Sequence, residues 1–208
     1  AAQPNNTNSL NENYDRDTVF YDAGGGNAAD YEQLGLTLTG AYEFDGATLT
    51  SITSYWTSEG SSRGDVDGGF GAVFLPGGGG PGLIPFPSDT QDSLDLEQFT
   101  QEIRLASTTE GPFSWQIGGY YFDSDFDVTT VGFTFPPPVT VNHTNEAWAL
   151  FGQLTYQLTD TLRATGGIRY TDDQKDFVVI SGAAPQPRSV GDKNVDWDVS
   201  LFADVGPD

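Results

Sequence analysis

The sequence contains no cysteine, no methionine and a single histidine, His143, among its 208 residues. The lack of cysteine excludes disulfides, thiolate metal sites and cysteine nucleophiles. One histidine excludes a multi-histidine zinc or iron site within this chain. Basic residues are scarce as well, because 8 Lys and Arg stand against 30 Asp and Glu, for a formal net charge of −22. Phosphate binding needs clustered Lys and Arg, so the composition excludes nucleic acid as a partner.

Long apolar runs are also missing from the sequence. No stretch approaches the roughly 20 apolar residues that a transmembrane helix needs. The chain opens A-A-Q-P-N-N, without an initiating Met, a basic region or an apolar region, and we therefore expect a mature or excised segment. With 14 Phe, 9 Tyr and 4 Trp, the chain is too rich in aromatic residues to be disordered.

The pattern that is present is an alternation of apolar and polar residues with a period of two, which is typical of β-strands. In L-G-L-T-L-T-G-A-Y-E-F, Leu34, Leu36 and Leu38 share one face, and the dipeptide Asp45-Gly46 then indicates a tight hairpin turn. The faces of the following strand are not assigned by the pattern. About seven strands are predicted, near residues 34–44, 47–57, 96–107, 113–122, 147–158, 162–171 and 195–205.

Short turns and long connections alternate along the chain. Turns of two to five residues fall near positions 45, 109 and 160, whereas long loops are predicted at 58–95, 123–145 and 172–194, with residues 1–33 as a further external loop segment. All long connections then lie at one end, which is typical of transmembrane β-barrels and rare in soluble sandwiches. The sequence therefore predicts an all-β chain: an antiparallel, up-and-down transmembrane β-barrel segment over residues 34–208, with long loops at one end.

Aromatic and charged residues are placed as two membrane interfaces would require. One aromatic group lies near the short turns (Tyr42, Phe44, Phe113, Trp115, Tyr156) and another near the long loops (Tyr55, Trp56, Tyr120, Tyr121, Trp148, Tyr170). A charge on the lipid face costs about 2–4 kcal/mol near the membrane centre. Polar residues within the strands are therefore predicted to face the barrel interior, namely Glu102, Arg104, Gln153, Arg163 and Arg169.

Several of these strands resemble TonB-dependent outer-membrane receptors. The resemblance is carried by F-T-Q-E-I-R-L-A-S at 99–107 with W-Q-I-G-G-Y-Y-F at 115–122, by the block F-G-Q…L-T-D…G-x-R-Y-T within 148–175, and by L-T-S-I-T-S-Y at 49–55. It covers roughly residues 34–175. The loops carry no family signal.

The resemblance implies a function in transport, not catalysis. Receptors of this family are 22-stranded barrels filled by an N-terminal plug, and they import siderophores, cobalamin, saccharides or similar scarce solutes with energy from the TonB system. We therefore expect this chain to supply barrel wall and external loops in the outer membrane of a Gram-negative bacterium. Its expected partners are outer-membrane lipid, the remainder of the barrel with its plug, and, through that plug, the TonB system.

Two loop segments are candidate binding sites. Asp123, Asp125 and Asp127 have the D-x-D-x-D spacing that can begin a calcium loop, although the glycine and closing glutamate of an EF-hand are missing. Calcium is the one cofactor that the sequence suggests, and a solvated acidic loop is the competing interpretation. The apolar, proline- and glycine-rich stretch 74–87 is a candidate ligand-binding loop, in which the contacts would come from Phe74, Leu75, Leu83, Ile84 and Phe86.

Two other functions remain open on the sequence. A secreted, acidic all-β adhesin or surface-layer module, with or without stabilisation by calcium, would share the low isoelectric point and the Gly- and Asp-rich loops. A small porin-like barrel would need an eighth strand within residues 10–22, where only Thr18 to Tyr21 is rich in strand-forming residues. The clean alternation argues against the adhesin, because one face of every readable strand is polar or small, and the candidate eighth strand of the porin-like barrel is short.

Overall fold

The computed structural model describes Asp17 and residues 28–65, 89–108, 111–132, 137–182 and 184–206. The regular elements among these residues are all strands. They are β1 (Ala28–Phe44), β2 (Ala47–Asp65), β3 (Asp89–Ser107), β4 (Phe113–Gly132), β5 (Val139–Thr159), β6 (Leu162–Ile180) and β7 (Gln186–Ala203). In this part of the chain we find no helix with the length and apolarity that a membrane crossing requires.

The seven strands form one antiparallel sheet in sequence order, β1 to β7, each paired with its neighbours along the chain. This confirms the predicted all-β, up-and-down fold. Local sequence explains the tight turns: Gly46 has φ 86° in the Asp45-Gly46 turn, a conformation that glycine adopts without steric cost. A register shift between Gln157 and Thr159 marks a bulge where β5 approaches its turn to β6.

The strands are much longer than the pattern predicts. They run for 17 to 21 residues, about twice the 9–11 that a tilted strand needs to span a membrane. The predicted loops at 123–145 and 172–194 are therefore mostly strand, since β4 extends to Gly132, β5 begins at Val139, β6 extends to Ile180 and β7 begins at Gln186. Of the loop predicted at 58–95, residues 58–65 and 89–95 belong to β2 and β3, and the remainder lies outside the described residues. β1 likewise begins at Ala28, within the segment 1–33 that was predicted as loop. Asp, Asn and Gly are poor strand formers in isolation, but pairing with a neighbouring strand overrides that preference.

Cross-strand register separates the sheet into two faces. One row joins Leu105, Ile117, Gly152, Ile168 and Trp197 across β3 to β7. We call the face that carries this row the outer face and the opposite one the inner face. The register also settles β2, whose faces the pattern left unassigned: its odd-numbered residues lie on the outer face.

The distribution of burial is the reverse of a water-soluble protein. Large apolar side chains on the outer face are exposed, including Leu38 at 74% and Trp197 at 76%. The described residues form a single layer, and their three buried residues, Ala149, Ser58 and Thr165, all lie on the inner face. The inner face is therefore the concave one. A soluble adhesin module would need a second layer over the apolar face, and nothing in the described residues supplies it.

The aromatic residues follow the same division, with one correction. The group near the short turns lies on the outer face, as do Tyr55, Tyr121, Trp148 and Tyr170 at the other end. Trp56 and Tyr120 belong to the inner face, because they pair with Gly35 and Ala149. Sequence position alone groups them with the outer aromatics, since adjacent residues of a strand point to opposite faces.

Candidate functional site

The register places all five predicted interior residues on the inner face: Glu102 and Arg104 on β3, Gln153 on β5, Arg163 and Arg169 on β6. That this face lines a barrel interior stays a prediction. Arg104 pairs with Glu102 at 3.7 Å between Nη1 and Oε1. The Arg163 guanidinium lies over the Phe202 ring, 4.9 Å from its centroid. Both contacts hold a positive charge away from the apolar outer face.

Arg169 contacts two aromatic rings on the inner face. Its guanidinium lies 5.9 Å from the ring centroids of both Tyr120 and Phe151, and its Nε donates to Thr171 Oγ1 at 3.2 Å. A cation placed against aromatic faces is attracted by their quadrupoles. Asp196 lies across the strand pair and brings a carboxylate to the same row. The arrangement fixes an arginine in one orientation on the inner face.

Amides and an open cleft extend this polar region. Gln116 donates to Gln153 across β4 and β5 at 3.2 Å. A shallow cleft of about 360 Å³ borders Gln153, Arg169 and Asp196. The inner face can therefore offer hydrogen-bond donors and acceptors to a molecule or protein segment that packs against it.

The three aspartates of the predicted calcium loop lie in β4, not in a loop. Asp123, Asp125 and Asp127 are exposed on the outer face at every second position. The Asn142 amide donates to Asp125 at 3.1 Å and to Asp127 at 2.8 Å. Among the described residues, no three acidic or histidine side chains are grouped as a metal site would require. The sequence pattern thus marks an acidic outer stripe.

The candidate ligand-binding residues in 74–87 (Phe74, Leu75, Leu83, Ile84, Phe86) lie outside the described residues. The structure instead draws attention to the inner face of the same end. There β4 alternates exposed outer aspartates with half-buried inner Phe126 and Val128. The signal was present in the sequence, because D-F-D-V continues the period of two with apolar residues on the inner positions.

One ion pair lies on the outer face, one outer position beyond Tyr170 along β6. Lys193 Nζ lies 3.0 Å from Asp172 Oδ2, across β6 and β7. The hydrogen bond to Asp172, followed by its charge, raises the pKa of Lys193 above the ordinary value of 10.5. The pair thus places a basic group next to an acidic one on the outer face of β6 and β7.

Comparisons with known proteins match this geometry. A family model described as TonB dependent receptor-like, beta-barrel, matches residues 1–202. Among solved structures, the ferric yersiniabactin uptake receptor FyuA from Yersinia pestis aligns with a TM-score of 0.54 and 17% identity, over 81% of this chain and 25% of that chain. The copper transporter OprC aligns with a TM-score of 0.61 and 13% identity, over 86% and 28%. No curated protein matches the sequence.

At these identities the two solved structures establish the likeness of fold alone. The chain spans about a quarter of the length of either receptor.

Proposed function

Because this chain belongs to the TonB-dependent receptor family, we propose that it forms part of the barrel wall of a receptor for energised uptake of a scarce solute. The family consists of transporters of the Gram-negative outer membrane. We accordingly place this chain in that membrane and assign it no catalytic step.

The sidedness of the sheet is the observation that supports the proposal most directly. Exposed apolar residues such as Ile117 and Ile168 occupy the outer face, and arginine, glutamate and glutamine occupy the inner face. This distribution is favoured when lipid surrounds the outer face and the inner face lines a polar interior. The aromatic residues at both ends of the apolar band suit the two membrane interfaces.

Further strands and a plug are part of the proposal. In the described sheet β1 and β7 are the edge strands and pair with β2 and β6 alone. Edge strands are not tolerated within lipid, since their backbone donors and acceptors would be unpaired. The remainder of the barrel would therefore flank them, and the polar inner face would contact a plug through which the TonB system acts.

The solute is proposed as a class. Of the two structurally similar proteins, one is a ferric yersiniabactin uptake receptor and the other is a copper transporter. A siderophore, cobalamin, a saccharide or a similar scarce solute fits the family, and the acidic outer stripe disfavours capture of strongly anionic solutes at that surface.

The test uses the full-length receptor that contains this segment, expressed in a Gram-negative host. We expect a detergent-extracted band in the outer-membrane fraction that migrates differently before and after boiling, as a stable barrel does. We also expect that candidate solutes accumulate only when the TonB system is intact. Release into the aqueous phase without detergent would contradict the proposal.

A further inference from the structure

The sheet reverses its polarity beyond the outer aromatic residues. Between the two groups of outer aromatic residues, in the apolar band, the outer face is apolar and the inner face is polar. Beyond the aromatic group that includes Tyr121 the strands continue, and in these strand extensions the outer face of β4 carries Asp123, Asp125 and Asp127. The inner positions between them include Phe126 and Val128, which are half-buried. A strand that simply projected into water would be polar on both faces, so the apolar inner positions require a separate explanation.

These inner residues form two continuous rows across four strands. The first row joins Leu96, Phe126, His143 and Phe177. The second joins Leu94, Val128, Val141 and Val179. In the first row the rings of His143 and Phe177 approach edge to face, with 6.4 Å between centroids. We call these eight residues the apolar wall.

Polar residues border most of the apolar wall. Toward the apolar band the next inner row is Gln98, Ser124, Asn145 and Lys175. On β7 the two rows end at Arg188 and Gln186, and on β2 the first row ends at Ser58, whereas the second continues past Gly60 to the Tyr31 ring of β1. The wall is thus a patch of finite extent on the concave face.

The size of the apolar wall decides between kinds of occupant. Four strands about 4.8 Å apart and two rows about 7 Å apart give an area on the order of 200 Å². A stable protein interface needs about 800 Å² from each partner. The wall is too small for a folded protein partner or a second copy of this chain, but it matches one face of a small ring system.

We propose that the apolar wall binds the aromatic portion of the solute that the receptor captures. This inference rests on the proposed transport function and adds to it the chemical class of the solute. Phe126, His143 and Phe177 are neighbours in one row and provide ring faces and edges for stacking. The border supplies polar contacts for substituents, and Asn145 Oδ1 has no hydrogen-bond partner among the described residues.

The test measures binding to the full-length receptor in detergent by saturation-transfer NMR. The probes are phenyl β-D-glucoside and methyl β-D-glucoside, which differ only in the aromatic group. We expect transfer to the phenyl protons in the unsubstituted receptor, and a fall of about threefold or more in Phe126→Gln and in Val141→Thr. Val141→Thr keeps the shape of the side chain, so it guards against a variant that fails to fold.

Asp125→Asn is the matched control, because Asp125 lies beside Phe126 but on the outer face. It should leave the phenyl signal unchanged. Equal signals for the two glucosides, or an unchanged signal in Phe126→Gln, would overturn the inference. So would a melting temperature of ligand-free Val141→Thr lowered by several degrees, since the protein itself would then cover the wall.

Failure of the inference is distinguishable from failure of the proposed function. Saturation transfer requires no membrane energisation, whereas the proposed function is tested by TonB-dependent accumulation of solute. A receptor that imports a solute but shows no preference for the phenyl probe would refute the apolar wall alone.

Discussion

The Phe151 ring lies over Gly118 on the inner face and occupies the space that a Cβ atom at that position would need. The Ile103 carbonyl oxygen, 2.8 Å from the same point, closes the other side. Because Phe151 in turn contacts the Arg169 guanidinium, the missing side chain at position 118 sets where a charged group of the next strand pair lies. Backbone on one side and a ring on the other leave no room for adjustment.

Gly118→Ala should therefore destabilise the receptor, whereas Gly119→Ala should not. Gly119 is the matched control, since an added Cβ there meets nothing closer than Leu150 Cδ2 at 3.5 Å. We expect a cost of about 1–3 kcal/mol for the first variant and close to none for the second. Urea unfolding midpoints of the full-length receptor measure the difference. Equal midpoints for the two variants would show that Phe151 moves aside without cost.

The two faces predict opposite tolerance of charge at adjacent positions of β4. Ile117 is 53% exposed in the middle of the apolar outer band, and Gln116 lies on the inner face. Ile117→Arg should cost about 2–4 kcal/mol near the membrane centre. Gln116→Arg should cost at most about 1 kcal/mol, for the lost hydrogen bond to Gln153.

Folding of both arginine variants into lipid vesicles, followed by urea titration, compares them directly. The introduced residue and the strand are the same, so only the face differs. A similar loss of stability in both variants would mean that the outer face does not contact lipid.

The sequence predicts the apolar band well because lipid imposes a strict alternation on it. Every second residue of the band must be apolar, so Leu34, Leu36 and Leu38 reveal both the strand and its face without a structure. The inner placement of Arg163 and Arg169 follows from the same constraint. β2 was harder to assign, because Ser51 and Thr53 occupy outer positions and weaken the contrast between its faces.

The strand extensions were not predicted because neither face there meets lipid. Asp123 and its neighbours suggest a loop when only intrinsic preferences are considered, and the pairing that makes them a strand is non-local. The apolar residues on the inner face of these extensions were not predicted for the same reason. Its alternation is present at Phe126 and Val128, but with polarity opposite to the rest of the sheet.

Tryptophan fluorescence should separate the faces within one protein. Trp197 is on the outer face and 76% exposed, whereas the Trp56 ring packs over Gly35 on the inner face. In single-tryptophan versions of the receptor, lipid with brominated acyl chains should quench Trp197 strongly and Trp56 weakly. Quenching that is equally strong at both positions would contradict the assigned faces.

The ion pair between Lys193 and Asp172 should be visible as a pH dependence. Asp172 raises the pKa of Lys193, so the pair stabilises the folded state below the ordinary lysine pKa and is lost as the pH rises through the raised value. Asp172→Asn should lower the pKa of Lys193. Competitive acetylation across alkaline pH measures the pKa of Lys193. Asp176→Asn is the control, because Asp176 lies on the same face of β6 but is paired with Ser189 and not with Lys193.

Calcium should have little effect on the stability of the receptor through the β4 aspartates. Asp125 and Asp127 already accept hydrogen bonds from the Asn142 amide. Alternate residues of a strand also hold the carboxylates of Asp123 and Asp127 about 13 Å apart at their backbones, so the three cannot surround one ion as a loop would. We expect melting temperatures with calcium and with a chelator to agree. A calcium-dependent rise in melting temperature that disappears in Asp125→Asn would instead support the calcium site that the D-x-D-x-D spacing suggests. Glu146→Gln, on the neighbouring strand, would then test whether Glu146 is a fourth ligand.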